Sequence, residues 1–554
     1  MHSGDENFDG GEGGHTAKKR KTLILYFVFL VLLSAGGLTF LAIINRHNAV
    51  ERQNILKQTS IAKSKQIALE NEARKNAKAQ EEQQKEASAQ TEKQKKVADI
   101  QKLQESIQRN KAQLAKLSAE HSEKKSELEK KIAKDESRKA DSLKKLVLFE
   151  KSSSENLRLF ENANSLAIKS LNFNKHNEDN NLKALLALWA YKLNSTNRND
   201  SLNPDIMLAL YEANKAFESA DKYVFKGHND VVKGLAVSPN SRYLASAGAD
   251  GKVILWDLAG SKPSSKVLIT AGEFSAVAFS PDNKWLAACS GLNIYKWNLE
   301  NPGQKPEVLS GHTAKITSLI FTNTQIVSGG LDKMLLIYDM SGNVARKDSF
   351  DSRISSLAFS GAQNLIGVGF DDGTIYLIRQ NDKKQEPEVL KKPLKQMGQV
   401  SGLSFNDKGN VVAAAYANGS FNVYYTGLVA NKQKSSLAKA LPRHIPAYSA
   451  VVFGKSNLLA SAGLDGKVKL WQWARDIPPV VFGKQGKRLE SIAISPDGKR
   501  IFSGGKDKNI YVYDIDQQDI VNRLKKKITR NLTPYEWNYF MGNVPYQKLI
   551  DNLQ

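Results

Sequence analysis

The side chains from which acid–base, nucleophilic or metal chemistry is built are sparse in this 554-residue chain. Eight histidines are scattered along it. No His-Glu-x-x-His face for zinc, no Gly-x-Ser-x-Gly nucleophile turn and no Asp-rich calcium loop occurs. The single cysteine, Cys289, ends the apolar run Leu286-Ala287-Ala288-Cys289 and reads as a small buried filler. It excludes an internal disulfide and any thiolate metal site built from this chain alone. Gly483-Lys484-Gln485-Gly486-Lys487-Arg488 is basic and glycine-bearing, yet its order is not that of a phosphate-binding loop. The sequence therefore offers no catalytic residue, no cofactor-binding residue and no metal ligand. An enzyme is not expected.

Three of the histidines stand in places that recur. In one unit Gly227-His228 precedes a strand-like run, Ser246 lies on the next, Asp250 in the following turn, and Trp256-Asp257 ends the third. His444, Ser461, Asp465 and Trp471 repeat those places, with four residues from Ser to Asp and six from Asp to Trp in both units. The residue closing the first run of each unit is apolar: Val237, Phe279, Phe321, Phe359, Phe405, Phe453 and Ile494, 38 to 48 residues apart. A period near forty with four short strand-like runs is the mark of a β-propeller, whose sheets bury their faces only against neighbouring blades. Seven units close one ring.

These motifs resemble the WD-repeat family across residues 223–515. The resemblance implies that His, Ser, Asp and Trp form a hydrogen-bond chain pinning the turn to the strands, a network worthwhile only when every member is satisfied. A third unit keeps His312, Ser328 and Asp332 but has Tyr338-Asp339. The seventh keeps Ser503 and Asp507 with Tyr513-Asp514, and has Gln485 at the histidine place. The second has Trp297 with a shortened turn at Ser290-Gly291; the fourth (Asp372, Ile378) and fifth (Asn418, Tyr424) are the most eroded. Residues 222–225 look like an outer strand that completes the last blade, as such rings commonly do, removing an exposed edge. The resemblance also implies a partner-binding rim three residues after each histidine place: Val231, Glu273, Lys315, Arg353, Gln399, Ala447 and Arg488. Lys315, Arg353 and Arg488 would make that rim mildly basic, suited to an acidic partner segment.

The elements that carry this ring begin with a basic-ended tail, 1–21, rich in Gly, Asp and Glu. Residues 22–45 hold no charge and are long enough to cross a bilayer as a helix. Lys18-Lys19-Arg20-Lys21 places the N-terminus in the cytoplasm and the propeller outside, periplasmic in a bacterium. Arg46, Arg52, Lys57 and Lys63 on the other flank leave a cytoplasmic propeller open. From Leu38 to Asn203 there is neither Gly nor Pro, so 46–155 reads as long helix. Ile100, Leu103, Ile107, Leu114, Leu117 and Leu128 fall on heptad a and d places, interrupted by Asn110, His121 and Lys124, which favours a coiled coil. Without a Gly/Pro turn, an extended, self-associating stalk and a homo-oligomer are expected.

Residues 156–220 show helical apolar spacing in three segments, Phe160 to Leu171, Leu182 to Leu193 and Pro204 to Phe217. They are similar to the paired-helix adapter ahead of propellers in bacterial STAND-type signalling NTPases. Residues 517–554, with Arg530-Asn531-Leu532-Thr533-Pro534-Tyr535-Glu536-Trp537, resemble the tail that closes many of those propellers. No Gly-x-x-x-x-Gly-Lys-Ser/Thr loop occurs, so nucleotide hydrolysis is not carried over.

A net charge of +23 raises the question of nucleic acid. The excess is lysine spread along stalk and loops, without an arginine-rich face interleaved with aromatics, so nucleic acid is not the expected partner. The expected fold is an all-β seven-bladed propeller (221–516) behind an all-α N-terminal part, with a short helical cap. The expected function is a single-pass inner-membrane scaffold docking a protein partner within an envelope assembly of secretion or motility type. The alternative is a membrane-tethered signalling or defence sensor with a cytoplasmic propeller.

Overall fold

The computed structural model of the chain describes residues 90–114, 116, 122–173, 179–196, 202–219, 222–260, 263–380, 388–391, 398–426, 436–442, 447–475, 477–483, 488–542 and 544–553. These lie in the unit Gln83–Gln554. The expected span 22–45 falls outside the described residues. Among the described residues no helix is long and apolar enough to cross a membrane.

The repeats form seven antiparallel four-stranded sheets. Blades 1 to 6 are residues 232–270, 274–309, 316–349, 354–391, 400–441 and 448–482; blade 7 is 489–514 together with Val224–Lys226. The expected closure is present: Val224, Phe225 and Lys226 pair with Tyr511, Ile510 and Asn509. All seven closing apolar residues end the first strand of their blade or stand one place before its end. Second strands such as Val411–Tyr416 are buried throughout, because a neighbouring blade covers each face, and so they read as unbroken runs of small and apolar residues.

Small residues set how closely blades approach. A Cβ on Gly329 would lie 2.4 Å from the Ile354 side chain of the next blade, and one on Gly369 2.6 Å from Val400. Every first strand carries a register shift after its first residue. The extra residue is a place where a hydroxyl can turn toward the next blade. Ser275 donates to the Ile316 carbonyl (2.8 Å), Thr317 to Ile354 (2.6 Å) and Ser355 to Val400 (2.8 Å).

The helical part corrects two expectations. Helix α1 (90–114) and helix α2 (Ser122–Asn172) lie antiparallel against each other. Lys93 pairs with Glu150, Lys139 donates to Gln104, Lys111 pairs with Glu136 and Ser106 donates to Asp135. The seam residues Ile100, Ile107 and Asn110 are buried in this contact, so the described part of the stalk is folded back rather than extended. Leu117 and His121 lie outside the described residues. A partner a few residues along the same chain costs only a short loop closure, whereas a second chain costs association entropy. Helix α2 also runs unbroken through residue 155, where the sequence reading divided stalk from adapter.

Helices α3 (Asn180–Thr196) and α4 (Pro204–Ala216) pack on the end of α2. Helix α4 starts where Asn203 caps the N–H groups of Asp205 and Ile206, just ahead of Pro204 at its first turn. After blade 7 come α5 (Gln517–Lys527) and α6 (Pro534–Met541), the latter opened by a Thr533–Glu536 capping box. Leu166, Leu186, Trp189, Tyr211, Phe482, Tyr513, Leu524 and Trp537 share one core, so the helices are continuous with blades 6 and 7.

Candidate partner-binding rim

Blade 1 holds a complete polar chain. His228 Nδ1 lies 2.9 Å from Asp250 Oδ1, His228 Nε2 2.8 Å from Ser246 Oγ, and Trp256 Nε1 donates to the same hydroxyl at 2.9 Å. The Asn229 N–H donates to Asp250 as well, locking the turn ahead of the first strand to the turn after the second. Burial pushes the Asp250 carboxyl up, but the Asn229 N–H and His228 outweigh it and hold it below its ordinary value. Burial lowers His228, and Asp250 offsets only part of that. The imidazole is a neutral strut rather than a poised base.

Blade 3 repeats the arrangement with His312, Asp332 and Ser328 at 2.9 and 2.8 Å, and Tyr338 is buried at the tryptophan place. In blade 6, Trp471 donates to Ser461 at 3.0 Å and Asp465 accepts from the Lys467 N–H; His444 lies outside the described residues. In blade 7, Asp507 instead takes the Tyr511 hydroxyl, and Ser503 Oγ has no hydrogen-bond partner among the described residues. Gln485 lies outside them. Blade 2 keeps Trp297, but Ala288 stands at the serine place, which leaves the buried indole N–H without a partner among the described residues.

Blade 5 holds a network the motif did not announce. Val412 pairs with Tyr424 as Leu244 pairs with Trp256, and Tyr424 bonds to Tyr416 (3.0 Å) while accepting from Asn422 (2.9 Å). Burial raises Tyr416 far above a free phenol. Lys296 in blade 2 was equally unforeseen: its stem is buried and Nζ reaches Glu307 and the Met340 carbonyl, both at 2.6 Å.

The seven rim candidates each stand one residue before a first strand, so the structure brings them to one face of the ring. In six blades their carbonyls take the N–H after the second strand: Val231, Lys315, Arg353, Gln399, Ala447 and Arg488 accept from Ala249, Leu331, Asp371, Ala417, Leu464 and Lys506. Glu273, Arg353, Gln399 and Arg488 are exposed, Val231 and Lys315 half-buried, and Ala447 is buried. Lys315 is ion-paired with Glu273 of the neighbouring blade at 3.2 Å. Of the three expected cations, Arg353 and Arg488 are the exposed ones, and Arg353 stands close enough to the Asp371 carboxylate to interact with its charge.

The WD domain, G-beta repeat family matches residues 220–257, 264–298, 303–339 and 480–514, which are blades 1, 2, 3 and 7 with the closing strand. The ring is a WD-repeat propeller. Blades 4 to 6 have the same four-stranded order; the motif is eroded in blades 4 and 5, whereas blade 6 keeps Ser461, Asp465 and Trp471. Protein HIR1 of Kluyveromyces lactis is 25% identical over 352 residues, 51% of this chain and 41% of that protein. WD repeat-containing protein 55 of Homo sapiens is 24% identical over 298 residues, 51% of this chain and 74% of its own length. Small ribosomal subunit protein RACK1 of Candida albicans is 41% identical over 95 residues, 16% of this chain and 30% of its length. The chain thus spans less than half of two of these three relatives. All three are eukaryotic, and they lend a bacterial setting no support. No group of His, Cys, Asp or Glu among the described residues is arranged to hold a metal ion.

Proposed function

We propose that the chain is a non-enzymatic, membrane-tethered scaffold whose propeller docks an acidic segment of a protein partner at the rim. The carrying observation is that Arg353 and Arg488 stand exposed at equivalent strand entries. In blades 1 and 3, away from those two arginines, the histidine, serine and aspartate side chains are already hydrogen-bonded to each other. Chemistry needs a free acid or base; docking needs a rigid frame and an uncommitted surface. The frame is rigid because the closing strand ties both ends of the ring together. Residues 22–45, uncharged and long enough to cross a bilayer, are the tether in this reading. Lys18 to Lys21 place the propeller outside the cytoplasm, in an envelope assembly of secretion or motility type if the host is a bacterium.

The test is partner capture by the full chain, crosslinked in its native membrane and identified by mass spectrometry, with an Arg353→Glu/Arg488→Glu variant. Capture falls about tenfold or more on this reading. Unchanged capture overturns it. A second reading, a sensor facing the cytoplasm, draws on the basic residues Arg46, Arg52, Lys57 and Lys63 beyond the tether. Alkaline phosphatase fused after Gln554 is active only if the propeller lies outside. A fluorescent cytoplasmic reporter at the same place is active only if it lies inside.

A further inference from the structure

Blade 6 keeps Ser461, Asp465 and Trp471 but breaks the repeat at the other end of its strands. In blades 1, 2 and 3 the residue after the tryptophan place, Asp257, Asn298 or Asp339, accepts an N–H of the turn that follows it. Blade 6 has Gln472 there, and its Oε1 is buried with no hydrogen-bond partner among the described residues. The turn after the first strand departs as well. Blades 1, 2 and 7 tie that turn with a side-chain pair, Ser238 to Asn240, Ser280 to Asp282 and Ser495 to Asp497. In blade 6, Ser456 and Asn457 stand in succession in the left-handed region, at φ 57° and 61°. Residues other than glycine hold such strain only where the surroundings impose it, and functional sites are where it collects. Leu458 pairs with Gln472, so the two irregular turns lie side by side. With Leu202 ahead of α4 and the entry to α5 they line a cleft of about 550 Å³, a size typical of ligand sites. A repeat that abandons its own pattern at two adjacent turns, where a cleft opens, marks a site.

We propose that this cleft binds a short peptide segment through a carboxylate, its backbone and a neighbouring apolar side chain. Arg475 supplies the cation. Its N–H closes a turn on the Gln472 carbonyl at 2.8 Å, and its exposed guanidinium has no ion pair among the described residues. Asp516 stands in the same lining and caps the Asp519 N–H of α5. One guanidinium offset by one carboxylate suits a singly charged group and disfavours a phosphate dianion. The carboxamides of Gln472, Asn457 and Gln517 offer N–H donors and oxygen acceptors, the complement of a peptide group. A backbone N–H at Gln472 Oε1 supplies the donor that oxygen lacks. Leu202 and Leu458, both half-buried, give an apolar side chain a place to lie. The carboxylate belongs either to an Asp or Glu side chain or to a chain end; the chemistry at Arg475 is the same. Arg353 and Arg488 stand at strand entries, at the opposite end of the strands from these turns, so the site is independent of the rim.

The experiment titrates the purified full chain with acetyl-Leu-Glu-Leu-amide, with acetyl-Leu-Leu bearing a free carboxylate, and with acetyl-Leu-Lys-Leu-amide, each followed by saturation-transfer NMR. At least one carboxylate peptide binds with a Kd of about 1 mM or tighter, and the lysine peptide binds about tenfold more weakly or worse. Tighter binding of the first peptide assigns the carboxylate to a side chain; tighter binding of the second assigns it to a chain end. Arg475→Glu and, separately, Gln472→Leu each weaken binding about tenfold or more. Both variants keep the thermal unfolding of the parent, since Arg475 is exposed and Gln472→Leu removes a buried oxygen with no partner among the described residues. The Arg353→Glu/Arg488→Glu variant binds these peptides as the parent does, which separates this site from the rim. No saturation by either carboxylate peptide overturns the proposal, and so does equal binding of the lysine peptide. Binding indifferent to both cleft variants, or lost in the rim variant, overturns it as well.

Discussion

Trp189 and Trp537 meet edge to face, with ring centroids 4.8 Å apart and planes at 75°. One belongs to a helix ahead of the propeller and the other to a helix after it, so their contact fastens the two flanks to each other. Such a pair contributes about 0.5–1.5 kcal/mol beyond the area it buries. Arg530 reinforces the joint by pairing with both Asp179, just ahead of α3, and Glu536 in the first turn of α6. Tyr211 adds a third point, with its ring 5.2 Å from Phe482 of blade 6.

Truncating that joint should release the helices before the blades. Trp537→Ala removes a buried ring and its hydrogen bond to the Val544 carbonyl, at a cost of about 3–5 kcal/mol. Urea unfolding of the variant should show an early loss of helical signal ahead of the sheet transition. A single transition unchanged from the parent would contradict the shared core.

The polar chains of blades 1 and 7 make opposite forecasts for the same substitution. Ser246→Ala strands both His228 Nε2 and Trp256 Nε1 in a dry interior, which costs about 1–3 kcal/mol. Ser503→Ala removes a hydroxyl with no partner among the described residues and should change stability by less than about 0.5 kcal/mol. Equal effects in thermal unfolding would mean the network in blade 1 contributes nothing beyond packing.

Acidification should loosen blade 1. His228 is lowered by burial from its ordinary 6.5, so the unfolded chain binds that proton more readily than the folded one. Its contribution is fully present above pH about 6.5 and is lost as pH falls below that toward the depressed folded value. Asp250, also lowered from 3.8, adds a second loss only in stronger acid. Hydrogen exchange at the Asn229 amide should quicken between pH 7 and 5, after correction for intrinsic rates. No such change in excess of a His228→Asn variant would remove the titration argument.

Ring closure supplies the sharpest stability test. Phe225 is buried against Trp256 and Phe502 on a strand only three residues long. Phe225→Ala should cost about 3–5 kcal/mol and expose the outer edge of blade 7. Increased protease cleavage between residues 500 and 514 would report it; an unaltered digestion pattern would argue that the strand is dispensable.

The ring was legible because each unit repeats an apolar stop and, in the better copies, a Ser–Asp–Trp spacing that survives translation into one register. Lys315 illustrates what was not. Its partner Glu273 belongs to the preceding blade, and adjacency across blades exists only once the ring has formed. The hairpin of α1 and α2 was missed for a different reason. A heptad seam states that a helix wants a partner without stating whose, and Ile100 and Ile107 serve an intramolecular pairing as well as an intermolecular one. Blade 5 escaped because Tyr416, Tyr424 and Asn422 solve the same burial problem with residues the motif does not contain.

Tyr223 reaches Asp514, 291 positions later, and the strand beside it waits as long for its neighbour. During translation at about 5–20 residues per second, that strand therefore idles for roughly 15–60 seconds after leaving the ribosome. Six sheets can form in that interval, yet the circle cannot lock. The short closing ribbon therefore stays unpaired until the final blade emerges, and the last strand made is the one that completes the circle.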